Sequence, residues 1–163
     1  LYKVRKAKPL ELRRLRAILE HQLGVDGIGE KVFPEGVLLK ISRNTGKIRE
    51  ILTPSGEIIA TVLASTYTFN LKLLAAKVIH ETVPPPRLRV IVVNEIAEDL
   101  VTFGSSVFAK HVMYVDDDLR AGSEALVVDE DDNLLCVGRL ILSPDEIIHF
   151  IIGPAVKLRE CVE

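Results

Sequence analysis

Three consecutive prolines, in the run Val83-Pro84-Pro85-Pro86-Arg87, set the tightest limit on what this chain can fold into. A proline ring fixes φ near −65° and removes a backbone N–H, so three in a row can continue neither a helix nor a central strand. The segment is expected to be extended and semi-rigid, with one unit over residues 1–83 and a second over 87–163. Charge changes sign at the same place. Before residue 87 there are 14 Lys/Arg against 8 Asp/Glu, and from there onward 7 against 15. The halves thus carry +6 and −8, and the basic half suits a polyanion.

A chain that is 48% hydrophobic and 27% charged can bury a core, which excludes disorder. No apolar run approaches the roughly 20 residues that span a bilayer. The basic start, "LYKVRKAKPLELRRLR", lacks the apolar stretch of a secretory leader, so a cytoplasmic location is expected. One glutamine, four asparagines and one methionine give a thermophilic lean. Cys136 and Cys161 stand in apolar, strand-like contexts. Each is expected to act as a small hydrophobe with a free thiol, a disulfide being the alternative.

Periodicity and punctuation outline the elements. Leu12, Leu15, Ile18 and Leu19 lie on one face of a helix near 9–23, closed by Gly24. The glycine-rich "GVDGIGEKVFPEG" reads as loop. "VLLKISR", "KIREIL" and "EIIATVLAS" read as strands joined by the turns "NTG" and "TPSG", and a helix follows Asn70. In the second unit "RLRVIVV" is a strand. Asn94 can cap a short helix bearing Ile96, Leu100, Val101 and Phe103, closed by Gly104. "VFAKHVMYV", "EALVVDE" and "LLCVGRLILS" read as strands. Ser143-Pro144-Asp145-Glu146 starts a helix that stops at Gly153, and "AVKLREC" is the last strand. The fold class expected is α+β: a small α+β domain followed by a partly open β-barrel with two short helices.

The order "GSSVFAKHV", "AGSEALVVDEDDNLLCVGRLILS", "GPAVKLRE" resembles the PUA domain, an RNA-binding pseudobarrel, with Phe108, Gly122, Gly138, Arg139, Gly153 and Val156 at family positions. The preceding "PSGEIIATVLASTYTFNLKLLAAKVIHETVPPPRLRV" is similar to the domain that precedes the PUA in archaeosine tRNA-guanine transglycosylases. The resemblance implies an archaeal protein that holds RNA, above all tRNA. It places contacts at the corner of Gly104, Ser105, Ser106, Lys110 and His111, and at Lys157 and Arg159 on the last strand.

The residues themselves admit that chemistry. Small residues after a helix leave amides and hydroxyls for a phosphate, and lysine adds charge without regard to sequence. Lys3, Arg5, Lys6, Lys8, Arg13, Arg14 and Arg16 are a second basic cluster, of which Arg13 and Arg16 are expected to contact RNA. Phe108 is expected in the core, with base stacking as the alternative. The acidic runs 116–118 and 129–132 lack calcium-loop spacing and read as solvated turns that repel RNA. His21, His80, His111 and His149 are scattered without zinc spacing. No metal, cofactor or catalytic residue is therefore expected. Two alternatives to a free-standing, non-catalytic RNA binder stay open: a tRNA-holding accessory to a separately encoded RNA-modifying enzyme, and a protein-interaction module that no longer binds RNA.

Overall fold

Cross-strand apolar rows organise the first unit in the computed structural model, which describes residues 1–150 and 152–163. Its strands are β1 (Tyr2–Lys6), β2 (Leu38–Ser42), β3 (Ile48–Leu52), β4 (Ile58–Leu63) and β5 (Thr68–Leu71), an antiparallel meander in that order. Leu39, Ile51, Ala60 and Leu71 stand opposite one another across four strands, and all are buried. Side chains alternate faces along a strand, so this register sends one face of the sheet to the core.

Helix α1 (Pro9–Leu23) covers that core with Leu12, Leu15, Leu19 and Leu23. Helices α2 (Ile28–Val32) and α3 (Leu73–Thr82) add Ile28, Val32, Ala75, Ala76 and Ile79. The Gln22 side chain binds both backbone groups of Phe69 on β5, accepting from its N–H at 2.8 Å and donating to its carbonyl at 2.9 Å. One amide thereby satisfies part of a sheet edge. Three elements differ from the sequence reading, and β5 is a strand where only the approach to a helix after Asn70 was read. The loop "GVDGIGEKVFPEG" contains α2, and the basic lead-in contains β1.

The second compact unit spans Val83–Glu163. Its strands are β6 (Arg89–Val92), β7 (Ser106–Phe108), β8 (Val112–Val115), β9 (Glu124–Val128), β10 (Leu134–Leu140) and β11 (Pro154–Cys161). They form a curled sheet in the order β7-β11-β10-β9-β6-β8, antiparallel except for the β6–β9 pair. Helix α4 (Ala97–Phe103) precedes β7, and α5 (Pro144–His149) connects β10 to β11. Ser143 caps α5 through the Glu146 N–H, and the Glu146 carboxylate accepts from the Ser143 N–H in return. The mixed α+β architecture with a half-barrel sheet is the class expected.

Residues 106–115 are not one strand. β7 and β8 lie at opposite ends of the sheet, and a 3₁₀ turn at Ala109–His111 carries the chain between them. That crossing curls the sheet toward closure. Asn94 also departs from expectation. Its side chain accepts from the Glu130 N–H at 3.0 Å while the Glu130 carboxylate accepts from the Asn94 N–H at 2.8 Å, so it ties a turn and caps no helix.

The cysteines are corrected as well. Cys136 on β10 and Cys161 on β11 stand opposite each other in register and are joined as a disulfide. Directly opposed strand residues bring their Cβ atoms into the range that an S–S bond needs.

Gly138 is dictated by the same strand pair. A methyl group there would collide with the Lys157 carbonyl oxygen and lie 3.2 Å from the Leu158 Cα, at the bulge where the β10–β11 register shifts. Gly138→Ala is expected to destabilise the second unit by about 1–3 kcal/mol, the usual cost of overpacking. Urea unfolding followed by circular dichroism reads it; an unchanged midpoint would show that β11 yields freely.

Candidate nucleic-acid interface

The end of α4 leads directly into the corner singled out by the sequence. Gly104 has an extended backbone, φ −70° and ψ 137°, and its N–H donates to the Leu100 carbonyl at 2.9 Å. Glycine is required here by the close approach of Leu100, which a Cβ would strike, and not by a left-handed turn. Its amide is thus occupied and leaves the donor role to its neighbours. Ser105 is exposed and Ser106 half-buried, and their hydroxyls carry no hydrogen bond to protein among the described residues.

β7 brings this loop to the last strand. Ser106 stands opposite Lys157, and the Leu158 N–H donates to the Ser105 carbonyl at 3.0 Å. Lys157 is exposed, with no ion-pair partner among the described residues. At the other end of β7, Phe108 stands opposite Pro154, and the chain turns at Ala109. Lys110 lies on that turn, likewise exposed and without an acidic partner among the described residues. His111 beside it is half-buried, and its carbonyl accepts from the Val93 N–H. Two uncommitted lysines therefore lie at the two ends of β7, Lys157 across from Ser106 and Lys110 beyond Phe108, with the Ser105 and Ser106 hydroxyls at the Lys157 end.

Other candidates are placed differently. Arg159 is committed to Glu124, a carboxylate only 1% exposed, through both guanidinium nitrogens, one of them at 2.8 Å. Arg139 joins the same carboxylate at 3.3 Å. A buried carboxylate demands such partners, so Arg159 ties β11 to β9 across β10. In the first unit, Arg16 donates to the Phe33 carbonyl at 2.8 Å and pairs with Glu35 at 3.7 Å. It fastens α1 to the segment following α2.

Arg5 forks onto Glu11 with two 2.7 Å hydrogen bonds, and that side-chain bond holds the Glu11 carboxyl down to about 2. Arg14 stacks over the Tyr67 ring at 5.6 Å. Arg13 is exposed on α1 with no partner among the described residues, and Lys3, Lys6 and Lys8 are exposed near it in sequence.

The acidic runs have structural work as well as solvent exposure. Asp116 is buried and accepts from Arg87 and from the Leu88 N–H, both at 2.7 Å. Burial pushes its carboxyl up, but hydrogen bonds from the Leu88 and Asp118 amides and Arg87 outweigh that and hold it below the usual range. Asp132 pairs with the fully buried Arg89 at 3.1 Å.

Sequence reasoning missed the aromatics. Phe103, read as part of the apolar face of α4, is 83% exposed beside Gly104. Phe108, expected in the core, is 46% exposed. Phenylalanine is ordinarily buried, and the one legible sign was its position next to glycine and serine at the corner. Two aromatic faces, two hydroxyls and two lysines can hold a polyanion with unstacked bases.

Comparison with known proteins accounts for nearly the whole chain. Residues 13–86 match the patch-forming domain C2 of tRNA-guanine transglycosylase, and residues 89–162 match the PUA domain. The tRNA-guanine(15) transglycosylase of Methanothermobacter thermautotrophicus is 39% identical over 150 residues, covering 92% of this chain and 22% of that protein. The same enzyme of Thermococcus kodakarensis is 38% identical over 163 residues, covering 99% of this chain and 27% of that one. The chain thus spans about a quarter of the length of these relatives. Among solved structures, a hypothetical protein of the hyperthermophilic archaeon Pyrococcus horikoshii superposes with a TM-score of 0.71 at 17% identity, covering 98% of this chain and 94% of that one. A conserved PUA domain protein of Thermoplasma acidophilum gives 0.58 at 17% identity, covering 98% and 93%. Both share the fold.

Proposed function

We propose that this chain, which joins a patch-forming C2 domain of the tRNA-guanine transglycosylase type to an RNA-binding PUA fold and resembles the C-terminal part of the archaeal enzymes, grips structured RNA, above all tRNA. It acts by holding RNA and performs no chemistry of its own. The observation that carries this reading is the β7 corner. Lys110 and Lys157 stand there without acidic partners among the described residues, although residues 87–163 carry a charge of −8. In an acidic domain, unneutralised lysines beside free hydroxyls and exposed Phe103 are the groups that a phosphate chain would meet.

Ser105, Ser106, Lys110 and Lys157 are the proposed phosphate contacts. Gly104 allows the close approach of Leu100, His111 lies beside the turn, and Arg13 is a separate proposed contact on the first unit. Because A-form grooves hide base edges, the ligand is a stem recognised by shape together with a single-stranded 3′ end.

A fluorescence titration of total tRNA at several salt concentrations tests this. Affinity is expected to fall linearly on logarithmic axes, and Lys110→Ala with Lys157→Ala should reduce that slope by about 2, one counterion for each lost phosphate contact. An unchanged slope would remove both lysines from the interface, and no binding at low salt would remove the reading itself.

A second reading rests on the length comparison. Because the matched region is about a quarter of its relatives, these residues would hold tRNA for an RNA-modifying activity that resides outside them. Co-purification of a modifying enzyme from the source cells would favour it.

A further inference from the structure

Every aromatic residue of the second unit lies outside its core. Phe103, Phe108, Tyr114 and Phe150 are the four aromatics of residues 83–163, and all are exposed, Phe150 at 54% and Tyr114 at 41%. The core they leave is aliphatic, with Val90, Val92, Leu126, Val127, Val137 and Val156 as examples. Apolar burial would favour the reverse order, since rings carry the largest apolar area.

Tyr114 lines a groove of about 320 Å³ between β8 and α5, with Met113, Ile147 and Ile148 as its apolar walls. Two charges border it: Lys110 and Asp117. Both are exposed, and neither is tied to another side chain among the described residues.

We propose that this groove takes one unstacked nucleobase of a single-stranded RNA segment, with Tyr114 as its stacking face, Lys110 on the adjoining phosphate and Asp117 on the base edge. The inference rests on the RNA-holding reading above and adds to it where a base goes and which bases fit. Charge sets the direction of entry. Phosphate is attracted to Lys110 and repelled by Asp117 and its exposed neighbour Asp118, so the backbone stays at the lysine end and the base reaches inward.

A carboxylate only accepts hydrogen bonds. It favours bases that present an exocyclic amine and disfavours uracil, whose N3–H is flanked by carbonyls on both sides. The volume is at the lower end for small-ligand sites, enough for a base and not for a duplex.

The test uses the full chain, a blunt hairpin RNA, and the same hairpin with a tail of four cytidines or four uridines, read by fluorescence anisotropy. The cytidine tail is expected to bind about fivefold more tightly than the uridine tail, the worth of one hydrogen bond. Tyr114→Ala should weaken the tailed hairpin roughly tenfold, as the loss of one base stack would, and leave the blunt hairpin unchanged. Asp117→Asn should abolish the cytidine preference. A thermal melt of each variant shows that these surface positions leave the fold intact.

Equal affinity of the unaltered chain for blunt and tailed hairpins would overturn the inference while leaving the RNA-holding reading in place. So would a Tyr114→Ala loss shared by both ligands, or a tail preference that survives it. No binding to any hairpin would overturn the inference together with the reading beneath it.

Discussion

Arg89→Met is expected to lower the stability of the second unit by about 3 kcal/mol, the lower end for breaking a buried pair. Arg89 is 0% exposed. Its guanidinium donates to the Val83 carbonyl at 2.6 Å, to the Arg87 carbonyl at 3.1 Å, and to both oxygens of Asp132 at 3.1 and 3.4 Å. One side chain thereby ties the proline segment and the β9–β10 turn to β6. Methionine nearly fills the volume, so the loss comes from unpaired polar groups and not from a cavity. The Val83 carbonyl loses its donor, and Asp132, a third exposed, recovers part of its solvation from water. That recovery is why the lower figure applies. In a unit of this size the change corresponds to roughly 12–24 °C in melting temperature. Differential scanning calorimetry measures it, and a shift below about 3 °C would mean that the Arg89 network contributes little net stability.

Reducing or deleting the disulfide should cost about as much. Cys136 and Cys161 are 25 residues apart in sequence. Closing a loop of that length removes denatured-state entropy worth about 3.5 kcal/mol. Cys136→Ser with Cys161→Ser is therefore expected to melt on the order of 15–25 °C below the oxidised chain. Serine at 136 adds a polar group to a fully buried position, so Cys136→Ala with Cys161→Ser is the cleaner comparison. A strong dithiol reductant should move the unaltered chain by a similar amount and leave the variants unmoved. Equal melting of oxidised and reduced chains would show that β10 and β11 hold together without the covalent link.

The elements legible in the sequence are those set by near neighbours. The leucine stripe of α1 repeats at helical spacing, and the Ser143–Glu146 box closes within one turn. The turns "NTG" and "TPSG" fall between paired strands for the same reason. The corner of Gly104, Ser105, Ser106, Lys110 and Lys157 was legible as a set of residue types, and the strand pairing β7–β11 is what makes part of it one place.

Partners distant in sequence were not legible. Arg16 and Arg159 look like any other surface cations until Phe33, Glu35 and Glu124 are seen beside them. Arg89 reads as one charge in a strand, yet it is among the largest fully buried side chains of the described residues.

By itself the sequence determined the α+β class, the two family resemblances and the starts of α1 and α5. All of these follow from propensity, periodicity and residue type, which act over a few neighbouring residues. Tertiary structure alone decided three things: that β7 and β8 part to opposite edges of one sheet, that every aromatic ring of the second unit faces out, and which cations are consumed by carboxylates distant in sequence. Burial and ion pairing depend on what the rest of the chain brings to within a few ångströms, and no local pattern carries that information.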